Sequence, residues 1–155
     1  NKKIKMSLDK NMNDELKKAM LAKNEPKLRT LRSIKAAFLM TKTEKGGTGE
    51  ISEEQELKVL QKLYNQRKES FEIFEKGGRT ELAQKEKEEM DIIYSFLPAQ
   101  LDDASLIQII KEIIVETGAT SMKDMGKVVS AANAKLAGKA DGKRISTIVK
   151  DLISQ

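Results

Sequence analysis

A 155-residue chain with neither cysteine nor histidine has few routes to covalent chemistry. Without a thiol there is no disulfide, thiolate nucleophile or thiolate metal site. Without imidazole the commonest general base and metal ligand are gone, and no Ser-His-Asp or Cys-His arrangement can be assembled. What remains are charged groups standing where apolar ones are expected. Between residues 53 and 76 a seam recurs at heptad spacing: Leu57, Leu60, Tyr64, Arg67, Phe71, Phe74. Its one charged member is Arg67. A second seam reads Leu82, Glu86, Glu89, Ile93, Phe96, with two charged members. Folding the chain about Gly77-Gly78 sets Arg67 opposite both Glu86 and Glu89. Two chemistries fit. A carboxylate pair could serve acid–base catalysis or hold a metal. A partly buried ion cluster could fix helix register, the guanidinium fork satisfying carboxylates bidentately. A neighbouring arginine depresses carboxylate pKa values and repels a metal, so the structural reading is preferred. Stranding a buried charge there would cost about 3–5 kcal/mol. No catalytic residue, metal or cofactor is expected.

Two segments could handle phosphate. Gly46-Gly47-Thr48-Gly49 resembles a nucleotide loop only in its glycines. It lacks a preceding strand and a Gly-Lys-Ser/Thr ending, and it reads as a connection. Near the C-terminus, Asp124-Met125-Gly126-Lys127 opens one helix, and Gly138, Lys139, Gly142, Lys143 and Arg144 crowd the start of another. Glycines allow close backbone approach, helix-start amides favour anions, and the cations would complete a phosphate clamp. A solvated turn whose glycines serve only geometry explains the same residues, and composition does not separate the two readings.

Seven helices position these groups, and the expected class is all-α. The first covers about Ser7–Lys23, with Leu8, Met12, Leu16 and Met20 on one stripe. The second begins near Pro26, its buried face marked by Leu28, Leu31, Ile34 and Phe38. Ser52-Glu53-Glu54-Gln55 resembles a capping box and opens the third, which Gly77-Gly78 ends. The fourth spans about Thr80–Leu97. Pro98 disfavours helix at Leu97 and marks the lobe boundary. This gives an N-terminal lobe, 1–97, with a long αα-hairpin, and a C-terminal three-helix bundle, 98–155. In the latter, Leu106, Ile109, Ile110, Ile113 and Ile114 mark a core helix ended by Gly118. Met125, Val128, Val129, Ala132 and Leu136 mark the next. Ile145, Ile148, Val149 and Leu152 mark the last, with Asp141 as its cap.

Hydrophobic residues make up 39%, enough for a core that must be aliphatic given two Tyr, four Phe and no Trp. The absence of cysteine fits the cytoplasm, no apolar run is long enough to span a bilayer, and Asn1–Lys5 does not look like a signal peptide, so cytoplasmic residence and no membrane partner are expected. Charge is uneven. Residues 1–45 hold 13 Lys/Arg against 5 Asp/Glu, residues 46–97 hold 8 against 12, and residues 98–155 hold 8 against 7. The basic first segment points to nucleic acid or, more blandly, to solvated lysines on helix faces.

Six segments carry a resemblance: Leu28-Arg29-Thr30-Leu31-Arg32, Gln66-Arg67-Lys68-Glu69-Ser70, Gly78-Arg79-Thr80-Glu81-Leu82, Leu97-Pro98-Ala99-Gln100-Leu101, Asp124-Met125-Gly126-Lys127-Val128 and Gly138-Lys139-Ala140-Asp141-Gly142. Each is weak alone. In this order they resemble the GatB/YqeY domain family, which comprises free-standing small proteins and the tail of the B subunit of glutamyl/aspartyl-tRNA amidotransferase. The resemblance covers about Met6–Leu152, so residues 1–5 read as an extension or a cloning remnant. It implies a tRNA-gripping C-terminal lobe and neither the carboxylate-activating portion nor an amidase. Phe96 stands where tyrosine is more usual and Val129 where a second methionine is common, and neither change removes a charge. The implied function is non-catalytic binding of tRNA or a tRNA-like RNA through Gly126, Lys127, Gly138, Lys139, Gly142, Lys143 and Arg144, with possible help from the basic first two helices. The alternatives are a helical adaptor for a protein partner and an accessory component of a glutamine-dependent tRNA amidotransferase.

Overall fold

The computed structural model describes residues 7–44, 47 and 49–154. Residues 1–5, and Gly46 and Thr48 of the glycine-rich connection, lie outside the described residues. The chain is all-helical, with no strand among the described residues, and its internal packing divides between Leu97 and Pro98. No helix among the described residues is long and apolar enough to cross a membrane.

The first unit holds α1 (Leu8–Leu21), α2 (Glu25–Thr43), α3 (Glu53–Lys76) and α4 (Thr80–Ser95). The capping box at α3 is formed: the Gln55 amide donates to Ser52 Oγ at 3.1 Å and the Ser52 amide to Gln55 Oε1 at 2.9 Å. Gly78, at φ +71°, supplies the left-handed residue that turns α3 into α4, and the Arg79 amide closes the turn on the Phe74 carbonyl at 2.8 Å. The core joins Met12, Ala19, Leu28, Leu31, Ile34, Phe38, Leu60 and Ile93, and the four positions expected on α2 are all buried.

Two expected core positions point outward. Met20 is 60% exposed, and Ala19 takes its place. A strict four-residue spacing overruns the helical repeat, so Met20 lies about 80° from Met12 around the helix and Ala19 only about 20°. Leu82 is exposed and Ala83 is buried.

Glu56 is an unexpected core member, only 4% exposed. From α3 its Oε1 accepts the first two amides of α1, Leu8 at 2.5 Å and Asp9 at 3.2 Å. It therefore caps a helix 48 residues away in sequence, beside Ser7, which holds the Lys10 amide. Lys42 and Asp9, 2.8 Å apart, tie the same end of α1 to α2.

The second unit holds α5 (Asp103–Thr117), a single 3₁₀ turn at Met122–Asp124, α6 (Met125–Lys135) and α7 (Gly142–Ile153). Asp102 caps α5 through the Ser105 amide at 2.8 Å. Leu106, Ile110, Ile113, Val128, Ala132, Leu136, Ala140, Ile145 and Val149 form its core, while Ile109, Ile114, Met125, Val129, Ile148 and Leu152 pack at its edge.

Glu56→Ala should lower the unfolding free energy by about 2 kcal/mol, because two α1 amides lose their acceptor in a buried setting. Hydrogen exchange should show the first turn of α1 losing protection before α3. Unchanged protection there would mean that Ser7 alone suffices.

Candidate nucleic-acid interface

The ion cluster of the first unit bears on the catalytic alternative. Arg67 Nε lies 3.6 Å from Glu89 Oε1 and 4.0 Å from Glu86 Oε2, so the three interrupting charges do face one another. A further helix joins them. Arg29 of α2 lies 3.4 Å from Glu88 and 3.9 Å from Glu89. Periodicity within the hairpin gave no sign of Arg29, because its pairing crosses from another helix. Contacts near 4 Å are charge pairing without direct hydrogen bonds, and Arg29 Nε and Glu86 Oε2 are buried without a hydrogen-bond partner.

The expected depression of the carboxylates does not hold for Glu86. Burial, then the Glu89 carboxylate, push its pKa up, and Arg67, Lys85 and Arg29 only partly offset them. A carboxyl proton held more tightly in the folded state makes a contribution to stability that is present below the ordinary value of 4.5 and lost as pH rises through the raised one. Among the described residues no group of three or more Asp or Glu is placed to hold a metal ion.

The sequence-selected cations lie in the second unit. Gly138, at φ +75°, makes the turn after α6. The turn is clamped from the start of the unit: Gln100 Nε2 donates to the Gly138 carbonyl at 2.5 Å, and the Leu101 amide donates to the Lys139 carbonyl at 3.0 Å. The main chain of Gly138–Lys139 thus faces inward, and the Lys139 side chain faces solvent. Asp141 caps α7 by accepting the Lys143 amide at 3.3 Å. The Gly142 and Arg144 amides have no acceptor among the described residues.

Arg144 is differently employed from the sequence expectation. Its Nε donates to Asp103 Oδ1 at 2.6 Å, its second terminal nitrogen pairs with the same oxygen, and a third nitrogen donates to the Leu101 carbonyl at 3.3 Å. It staples the start of α7 to the start of α5, and a phosphate would have to compete with that carboxylate. Lys139 and Lys143 are exposed and have no ion-pair partner among the described residues.

Gly142 lies beside Asn133, since a Cβ there would come 3.8 Å from Asn133 Oδ1. Lys127 is six residues earlier on α6, about 9 Å along the axis. The structure therefore gathers Lys139 and Lys143 at the α7 start and leaves Lys127, with the exposed Gly126, toward the other end of α6.

The sequence profile of the family described as Yqey-like protein matches residues 9–153. The chain belongs to that family. Its relatives include proteins named "Altered inheritance of mitochondria protein 41, mitochondrial". The one from Eremothecium gossypii is 36% identical over 88 residues, which is 57% of this chain and 48% of that protein. The one from Lachancea thermotolerans is 29% identical over 125 residues, 77% of this chain and 66% of that protein. The one from Vanderwaltozyma polyspora is 29% identical over 117 residues, 72% and 63%. The chain thus spans about half to two-thirds of the length of these relatives.

Two outcomes are expected. Arg67→Ala and Arg29→Ala should each cost about 1–3 kcal/mol in denaturant unfolding, and the double variant should cost less than the sum, because both serve Glu89. Strict additivity would mean two independent surface pairs. Glu86→Gln should gain stability relative to wild type as pH is raised from about 4 to about 7. An offset constant over that range would place Glu86 in water.

Proposed function

We propose that this Yqey-like protein is a non-catalytic module that binds structured RNA, tRNA or a tRNA-like shape, through the basic α7 start of its second unit. The observation that carries this reading is the pairing of two unpartnered lysines, Lys139 and Lys143, with the open Gly142 and Arg144 amides. Amides at a helix start and cations beside them suit a phosphate backbone. Asp141 already accepts the Lys143 amide at that helix start, which leaves the Gly142 and Arg144 amides for phosphate. Lys127, exposed on α6 of the same unit, adds a further contact. Arg144 supports the site by holding its frame.

The module reads phosphate and shape more than bases. No aromatic residue stands between Leu97 and Gln155 to stack on them. Reaction chemistry is assigned to other proteins, so the isolated chain should not convert a misacylated tRNA in the presence of glutamine and ATP. Cytoplasmic residence is part of this proposal and rests on the absence of cysteine. The names of the relatives place those proteins in mitochondria.

The test is a gel-shift titration with tRNA at two salt concentrations. Lys127→Ala/Lys139→Ala/Lys143→Ala should weaken binding and lower the salt slope by about one unit for each phosphate that is no longer neutralised. Arg144→Ala should instead lower the unfolding midpoint. A triple variant that binds as tightly as wild type at both salts removes the assignment, and heparin competing as well as tRNA would favour the adaptor reading.

A further inference from the structure

Two adjacent pairs of apolar side chains are exposed, Leu39 with Met40 and Met20 with Leu21; beside the first pair Lys42 is held by Asp9, whereas the lysines around the second are unpaired among the described residues. Ile73 and Leu82 stand among charges of both signs, and Val115 stands beside Glu112, Glu116 and Lys111. At the corner joining α1 to α2, Met20 is 60% exposed and Leu21 76%, with Ala22 exposed beside them. Lys17, Lys18 and Lys23 flank them, all exposed and none ion-paired among the described residues. From Leu16 to Asn24 there is no acidic residue, and the nearest, Glu15, is taken by Lys27 at 3.6 Å. Glu25 borders the run on its other side, and Asp14 stands one step beyond Glu15.

The corner is built rigidly. The Asn24 amide donates to the Ala19 carbonyl at 3.0 Å and the Lys23 amide to the Met20 carbonyl at 3.1 Å, which closes a Schellman turn. The Asn24 side chain then caps α2 through the Lys27 amide at 3.1 Å. The left-handed position of that turn, at φ +53°, is Lys23, where glycine would sit without strain. The fold thus places a lysine at strained geometry beside two outward apolar side chains.

We propose that the α1–α2 corner is a peripheral docking tip for an anionic lipid bilayer, with Met20 and Leu21 entering the acyl boundary and Lys17, Lys18 and Lys23 meeting the headgroups. Apolar run length speaks only to segments that span a membrane. Interfacial binding scales with the apolar area buried plus the attraction of cations to anionic lipid, so a two-residue apolar tip framed by three lysines gives weak, reversible binding. A second copy of the chain does not fit, since like corners would bring six lysines together. RNA does not explain the apolar pair, because aliphatic side chains gain nothing from phosphates.

The test is sedimentation of the full chain with vesicles of phosphatidylcholine containing about one-third phosphatidylglycerol, beside vesicles of phosphatidylcholine alone. The expected result is binding to the anionic vesicles only, weakening with salt. Met20→Ser/Leu21→Ser should cut the partition coefficient at least about tenfold with an unchanged CD spectrum. Lys17→Ser/Lys18→Ser should cut it about fivefold per lysine. Lys23→Gly should raise the melting temperature while weakening vesicle binding, which a purely structural lysine would not do. No preference for anionic vesicles, or a Met20→Ser/Leu21→Ser variant that sediments like wild type, overturns the proposal. So does loss of tRNA binding in that variant with vesicle binding intact, which would make the corner part of the RNA surface.

Discussion

The first unit is organised by a charge cluster centred on the buried Glu89. Arg67 on α3 sits between Glu86 and Glu89 on α4, and Arg29 on α2 engages Glu88 and Glu89 from another side. Glu89 is 7% exposed, so sliding α3 against α4 by one heptad would take Arg67 away from Glu86 and Glu89 and leave Arg29 as the one cation beside Glu89. The apolar seam alone allows such a slip, because heptad-spaced aliphatic positions look alike one repeat later. Charge fixes the register, and burial of Leu60 and Ile93 follows from that register. The loose pairing distances and the unpartnered Arg29 Nε and Glu86 Oε2 suit registry better than maximal stability.

The second unit solves its closing problem with a strap. The segment leading into it is sewn to the turn before α7 by Gln100 and the Leu101 amide, and Arg144 pulls Asp103 and the Leu101 carbonyl toward the α7 start. These polar ties consume the groups that would otherwise compete for an anion, except for the Lys139 and Lys143 side chains and two α7 amides. A rigid frame carrying a few open cationic contacts suits recognition of a shape that the partner already has.

The helical class, the break at Pro98 and the α2 core face were legible because each rests on local periodicity or punctuation. The facing of Arg67 with Glu86 and Glu89 was legible because a two-helix hairpin folds one dimension onto itself. Contacts between elements that are not neighbours in sequence were not. Glu56 reads as a first-turn carboxylate of α3, and nothing near it shows that it caps α1. Arg144 reads as a phosphate ligand until Asp103, 41 residues away, takes it. Met20 lost to Ala19 because a strict four-residue spacing overruns the helical repeat. The upward shift at Glu86 depends on burial and on Glu89 together, and pattern alone reports only the arginine beside it.

Whether the α7 start meets phosphate is addressed most directly by amide chemical shifts of the full chain, followed as tRNA is added. The expected result is that the Gly142 and Arg144 amides move first and furthest, together with those of Lys139 and Lys143, while α5 beyond its first turn stays fixed. Shifts centred elsewhere, with the Gly142 and Arg144 amides unmoved at saturating tRNA, would contradict the proposed interface.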